Sequence, residues 1–160
     1  MLRMVTGHDM TLMMRLFLSM LLVGCGADGV SLGDSGTTTA VECGDAWVDD
    51  ISAPTDDGMW EVVIMEGDPE PPDVGANTWT LEVRDSSGAP TPAANVSMKP
   101  WMPDHGHGTT PLILEPTDAG DGTYPFDTFD LFMPGRWDFH VYVGDNDPPA
   151  EALFTFCLEG

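Results

Sequence analysis

The sequence predicts an all-β chain: an antiparallel β-sandwich of about seven strands, set behind an N-terminal targeting segment and a flexible tether. Three observations predict it. Short runs with period-two alternation recur from residue 61 to the end. Clusters of Gly, Pro, Asp and Ser bound each run. After the N-terminal segment, no stretch carries a convincing helical period.

The targeting segment comes first in the chain. Residues 10–25 read MTLMMRLFLSMLLVGC. Arg15 supplies a positive charge, and residues 16–23 are apolar except for Ser19. That run is too short for a transmembrane helix, which takes about 20 apolar residues, and it suits the h-region of a secretory signal. Leu22-Val23-Gly24-Cys25 resembles the bacterial lipobox, in which the cysteine is lipidated and becomes the mature N-terminus. The alternative is an ordinary signal cut nearby, with Cys25 a passenger. Met10, Met13 and Met14 are candidate initiators downstream of Met1. Gly26 rather than Asp follows Cys25, which leans the expected location towards the outer membrane of a Gram-negative host. The expectation is an extracytoplasmic protein attached to the cell envelope through an N-terminal lipid. The organisation is then a signal peptide over 1–24, a lipidated N-terminus and flexible acidic tether over 25–44, and the β-sandwich domain over 45–160. The tether stretch GADGVSLGDSGTTTA carries no period of either kind.

The strands follow. Residues 61–66 (EVVIME) are short and β-branched, and Pro69, Pro71 and Pro72 end them. Residues 78–84 alternate, with Trp79, Leu81 and Val83 on one face, and 85–90 form a turn by composition. Residues 95–99 resume with Val96 and Met98 on one face, and 112–115 form a further short strand. After a turn at 118–122, residues 123–133 run in two phases, Tyr124/Phe126 and then Phe129/Leu131/Met133. That change of parity predicts a bulge near Asp127-Thr128. Pro134-Gly135 turns into 137–143, where Trp137, Phe139, Val141 and Val143 share a face, and 153–158 is the last strand. Short strands at this spacing point to a sandwich of immunoglobulin-like shape.

Charge narrows the partners. The 160 residues hold 5 Lys+Arg against 27 Asp+Glu, a net of −22. Cleavage after residue 24 removes Arg3, Arg15 and Asp9 and leaves 3 basic against 26 acidic residues, a net of −23. Such a surface does not track nucleic-acid phosphates, which need Lys and Arg. It attracts cations over its whole face without specifying a site. With Cys25 assigned to lipid, Cys43 and Cys157 remain, and secretion puts them in an oxidising compartment. A disulfide joining them is expected. The alternative, metal ligation, lacks the usual CxxC spacing.

Residues 98–110, MKPWMPDHGHGTT, hold the candidate site. Two of the four histidines, two methionines and two prolines fall within them. Imidazoles and thioethers together suit copper better than magnesium or calcium, which prefer oxygen. The expected donors are Met102, His105 and His107, with Met133 joining if its turn lies beside this loop. Met98 and Met133 share parity with core residues, so core packing is the better reading of Met98 and an equal reading of Met133. For the histidines the alternative is a loop shaped by their hydrogen bonds to the backbone. His140 lies off the apolar face of its strand and reads as solvent-facing. Calcium is a second candidate at Asp118, Asp121 and the Gly144-Asp145-Asn146-Asp147 loop, but no EF-hand pattern exists there and Asp turns are common. There is no GxSxG, HExxH, P-loop or Rossmann pattern, so no enzyme is expected.

The run from 77 to 143 resembles the YtkA-like domain, which is also related to the FixH-type periplasmic domain. The residues that carry the likeness are Gly75, Asn77, Gly88, Pro90 or Pro92, Ala94, Val96 and Met98, then Met102-Pro103 and His105-Gly106-His107-Gly108. Gly122-Thr123-Tyr124 and Met133-Pro134-Gly135-Arg136-Trp137 complete it. The resemblance implies an immunoglobulin-like sandwich on a secreted or tethered bacterial protein. It also implies copper handling or oxidase assembly as the neighbourhood of function. Two readings stand: a copper-binding module, with a possible protein partner at the 98–110 loop, and a structural or protein-interaction module without metal.

Overall fold

The computed structural model describes residues 44–92, 95–117 and 120–160. The expected signal peptide, Cys25, the tether and Cys43 lie outside the described residues. Eight strands are present among those described: β1 (Ser52–Pro54), β2 (Trp60–Asp68), β3 (Gly75–Asp85), β4 (Val96–Met102), β5 (His107–Gly108), β6 (Thr123–Leu131), β7 (Gly135–Val143) and β8 (Ala150–Leu158). They form two antiparallel sheets, ordered β1-β2-β3-β6 and β5-β4-β7-β8. This is the expected immunoglobulin-like β-sandwich.

The alternation places the core where the pattern demanded. Trp79, Leu81 and Val83 from β3 face Trp137, Phe139, Val141 and Val143 from β7, all essentially inaccessible to solvent. Trp79 joins the two sheets through Phe139, with ring centroids 4.5 Å apart, and packs edge-on to Phe129 and Phe156. The bulge expected in β6 is present. Asn77 pairs with Phe129 and Trp79 with Phe126, so two residues of β3 span three of β6. The extra residue lets Phe126 and Phe129 both reach the core despite their odd spacing.

Three expectations need correction. Residues 112–115 are not a strand. Pro111 and Pro116 confine them, and Leu114 alone makes an isolated bridge to Met98, with N–O distances of 2.8 and 2.9 Å. Residues 98–110 are not one loop: β4 runs on through Met102, and β5 returns beside it. The strand tolerates Pro100 because of the direction in which its missing donor points. Met98 bonds outward to Leu114 through both N–H and C=O, and Pro100, two residues on, points the same way. The absent N–H therefore falls on the side away from β7, where no long ladder is lost. Finally, β1 and β5, of three and two residues, were not expected, being too short to show a period.

β8 is the edge of its sheet, and two aspartates close it. Asp56 N–H donates to Glu151 O at 2.8 Å while Asp56 Oδ1 accepts Glu151 N–H at 2.9 Å. Asp45 does the same at Thr155, at 2.7 and 2.8 Å. Each aspartate thus imitates one rung of a neighbouring strand. Cys157 lies two residues beyond Thr155 and is engaged, not free.

Candidate functional site

The Met/His stretch is a β4–β5 hairpin at one end of the sandwich. Pro103, Asp104, His105 and Gly106 make its turn, and the amides of His105 and Gly106 both donate to Met102 O, at 3.2 and 2.9 Å. Gly106 has φ 69°, a left-handed conformation that glycine adopts without a Cβ penalty. Gly108 is small for another reason. A Cβ there would stand 2.3 Å from Pro100 O, so only glycine lets the two arms close.

Register then decides what meets. His107 pairs directly with Met102 and Gly108 with Trp101. Directly opposed residues project to the same face of an antiparallel ladder. Met102 points into the core and is fully buried. Its Cε approaches the turn before β7, 3.0 Å from where a Cβ on Gly135 would stand. His107, at the rim of the same face, stacks on Phe132 at 5.2 Å and 25° and meets Trp137 edge-on at 6.5 Å. His105 sits exposed on the turn, its ring 5.7 Å from that of His107. Met133 is partly buried against the core, and its carbonyl accepts the Trp137 indole N–H at 3.0 Å. The 132–137 segment thus lies against the hairpin, and Met102, His105, His107 and Met133 gather at one end of the fold.

The donor set can be tested against copper. His107 Nδ1 is buried and has no hydrogen-bond partner among the described residues. A buried polar atom left in that state costs about 1–3 kcal/mol, and among the described residues the core Trp79 indole N–H shares it. Two imidazoles sharing one ion at metal–nitrogen distances near 2 Å place their centroids about 5–6 Å apart, and the two rings here are 5.7 Å apart. Among the described residues no group of three or more His, Cys, Asp and Glu side chains is arranged to hold a metal. The side chains near the hairpin with nitrogen or sulfur donors are the two imidazoles, the fully buried Met102 and the partly buried Met133. Such a set fits a soft ion and not calcium or magnesium.

The other candidates have structural employment. Asp121 Oδ1 accepts from the Thr123 hydroxyl at 2.6 Å and its amide at 3.1 Å, and Asp145 is bonded by the Asn95 amide. Asp118 lies outside the described residues. His140 faces out of the sandwich but is more than solvated: its Nδ1 lies 2.6 Å from Glu151 Oε1, and its ring stacks on Tyr142. Met98 is core. Sequence reasoning missed Phe132 and Trp137 as the frame of His107. The signal was there for Phe132, a large aromatic at an outward position between Leu131 and Met133, half exposed in the structure at 50 %.

A two-sheet sandwich with its unusual side chains gathered in the turns at one end is an immunoglobulin-like domain. The profile of the YtkA-like family matches residues 56–142, which is more than half of the 160 residues and includes both the hairpin and the 132–137 turn. The chain belongs to the YtkA-like family. No curated protein and no solved structure gives a significant match.

Proposed function

We propose that this chain is a lipid-anchored extracytoplasmic binding module, not an enzyme, and that it takes copper at the β4–β5 hairpin. His105 and His107 would hold the ion, with Met133, and Met102 after a rotamer change, as sulfur donors. The observation that carries the reading is the buried, unpartnered Nδ1 of His107 beside a second imidazole. Imidazole accepts Cu(II) and thioether favours Cu(I), so the mixed set suits copper through a redox change better than zinc. Copper competes with protons for the imidazoles, so affinity falls as pH falls. The test is a competitive-chelator titration of the wild type against His105→Ala/His107→Ala. The variant should lose stoichiometric copper and keep its fold. Equal uptake by both would assign the copper to the acidic surface and reject the site. The anchor is tested separately. Cys25→Ser should move the protein from the membrane pellet to the soluble fraction, and a variant that stays in the pellet is held by something else.

A second reading has its own support. Phe132, Leu112 and Ile113 are 50 %, 45 % and 40 % exposed. Phe132 adjoins the hairpin through its stack on His107, and Leu112 through its approach to Gly108. An apolar rim of this kind suits a protein partner. If the double histidine variant binds a partner as the wild type does, the hairpin serves as an interaction surface without metal.

A further inference from the structure

A cleft lies at the same end of the sandwich as the hairpin but at the β8 edge, between the 45–47 segment, the proline turn after β2 and the end of β8. Its volume is about 510 Å³, the size of a small-molecule site. Trp47 and Phe156 line it together with Pro69, Pro71 and Pro72, and Asp45, Glu70, Asp73 and Glu159 bring four carboxylates to it. No Lys, Arg or His is among the described residues that line it. The acidity alone says little, since the whole chain is acidic. Here the carboxylates adjoin an aromatic and proline wall.

The geometry puts charge beside the indole. Trp47 Cη2 and Glu70 Cγ lie 3.3 and 3.4 Å from the same point above Gly67, so the carboxylate stem and the ring are neighbours. Trp47 is braced by tilted contacts with Trp79 at 6.3 Å and Phe156 at 5.5 Å. Three carboxylates are each held by one backbone amide. Glu70 Oε1 accepts Gly67 N–H at 2.7 Å, Asp73 Oδ1 accepts Val74 N–H at 2.7 Å, and Asp45 Oδ2 accepts Thr155 N–H at 2.8 Å. Among the described residues, the second oxygen of each makes no such bond.

We propose that this cleft is a binding site for a small alkylammonium ligand, its cationic head against Trp47 and the free oxygens of Glu70 and Asp73, its alkyl body against the prolines and Phe156. A metal ion gains nothing from the apolar wall, and an uncharged apolar molecule gains nothing from the carboxylates. An alkylated ammonium uses both, because its weak hydration lets it trade water for an aromatic face. The ligand is distinct from the ion at the hairpin, and the proposal does not rest on that reading.

The probe is choline, titrated into the full chain at fixed ionic strength and followed by the tryptophan indole N–H and backbone amide resonances. Saturable shifts should centre on Trp47 and residues 67–73. The uncharged carbon analogue, with tert-butyl in place of trimethylammonium, should bind at least about threefold more weakly. Glu70→Gln/Asp73→Asn keeps both amide-accepting oxygens and removes two charges, so the fold persists and choline affinity should fall about threefold to tenfold. Trp47→Phe, which keeps an aromatic packing partner for Trp79, should weaken choline and leave the carbon analogue nearly unchanged. Equal binding of choline and its analogue would overturn the proposal. So would shifts that fail to saturate or spread over the acidic surface, or an unchanged affinity in the carboxamide variant.

Discussion

Single residues decide whether the hairpin closes and what it offers. Gly108 is the sharpest case, because a Cβ there would overlap a backbone oxygen, which cannot rotate away as a side chain can. Gly108→Ala should therefore separate β5 from β4 at a cost of about 1–3 kcal/mol. Thermal denaturation reads that loss, and the amide resonances of residues 105–108 should shift far more than those of β8. A variant as stable as the wild type, with an unmoved hairpin, would mean that β5 tolerates the overlap. The same closure sets the chemistry at His107. With Phe132 on one face and Trp137 at the edge, the ring is clamped, and its Nδ1 is turned from solvent without a partner among the described residues. Met102 differs again. Its thioether is fully buried, so donation to an ion at the rim requires a rotamer change, whereas Met133 already stands partly open.

At the scale of elements, the two edges of the second sheet are handled differently. β5 is only two residues long and offers little backbone to another chain. β8 is nine residues long, and Asp56 and Asp45 occupy its outward groups at Glu151 and Thr155. Exposed strand edges template pairing with other chains, and capping them prevents it. Asp45→Ala/Asp56→Ala keeps the backbone donors but removes both acceptors. Hydrogen exchange at the Glu151 and Thr155 amides should accelerate about tenfold, and light scattering should show more self-association. Unchanged exchange at both amides would show that the carboxylates do not hold the edge. Little of this was legible beforehand, because Asp45 and Asp56 lie far from β8 in sequence and carry no local pattern. The alternating strands were legible, since burial of one face forces period two on residues such as Trp79, Leu81 and Val83. The β6 bulge was legible for the same reason: Phe126 and Phe129 cannot both be core without an extra residue between them. The hairpin was half legible. The histidines and methionines stood out by chemistry, but Pro100, Pro103 and two glycines suggested a loop. Parity alone, carried from Val96 and Met98 through Pro100 to Met102, would have extended β4.

At the scale of the whole molecule the net charge of −22 sets how stability responds to pH and salt. Carboxylates crowded on one body repel each other, which works against the compact state and is relieved by salt or by partial protonation. Some carboxylates act in the opposite sense. Amide donation from Met59 and then the Thr55 hydroxyl hold Asp57 below the usual carboxylate range. The Ser87 hydroxyl, with the Ser87 and Ala89 amides, lowers Asp85, and the Thr123 hydroxyl and amide lower Asp121. A group lowered on folding stabilises the fold fully above its unfolded value, near pH 4, and the gain disappears as pH falls through the folded value. Asp57 and Asp121 are exposed turn residues and Asp85 ends β3 partly exposed, so each contributes modestly. The three lowered aspartates predict a loss in acid. Below about pH 4 the melting temperature should fall, because they lose their hydrogen-bonded charge. Added sodium chloride should raise the melting temperature at pH 8 by screening the repulsion between carboxylates. Melting curves over this grid decide the matter. A melting temperature indifferent to salt at pH 8 would show that the negative surface is already neutralised, for instance by cations held at discrete sites, and that self-repulsion does not limit this fold.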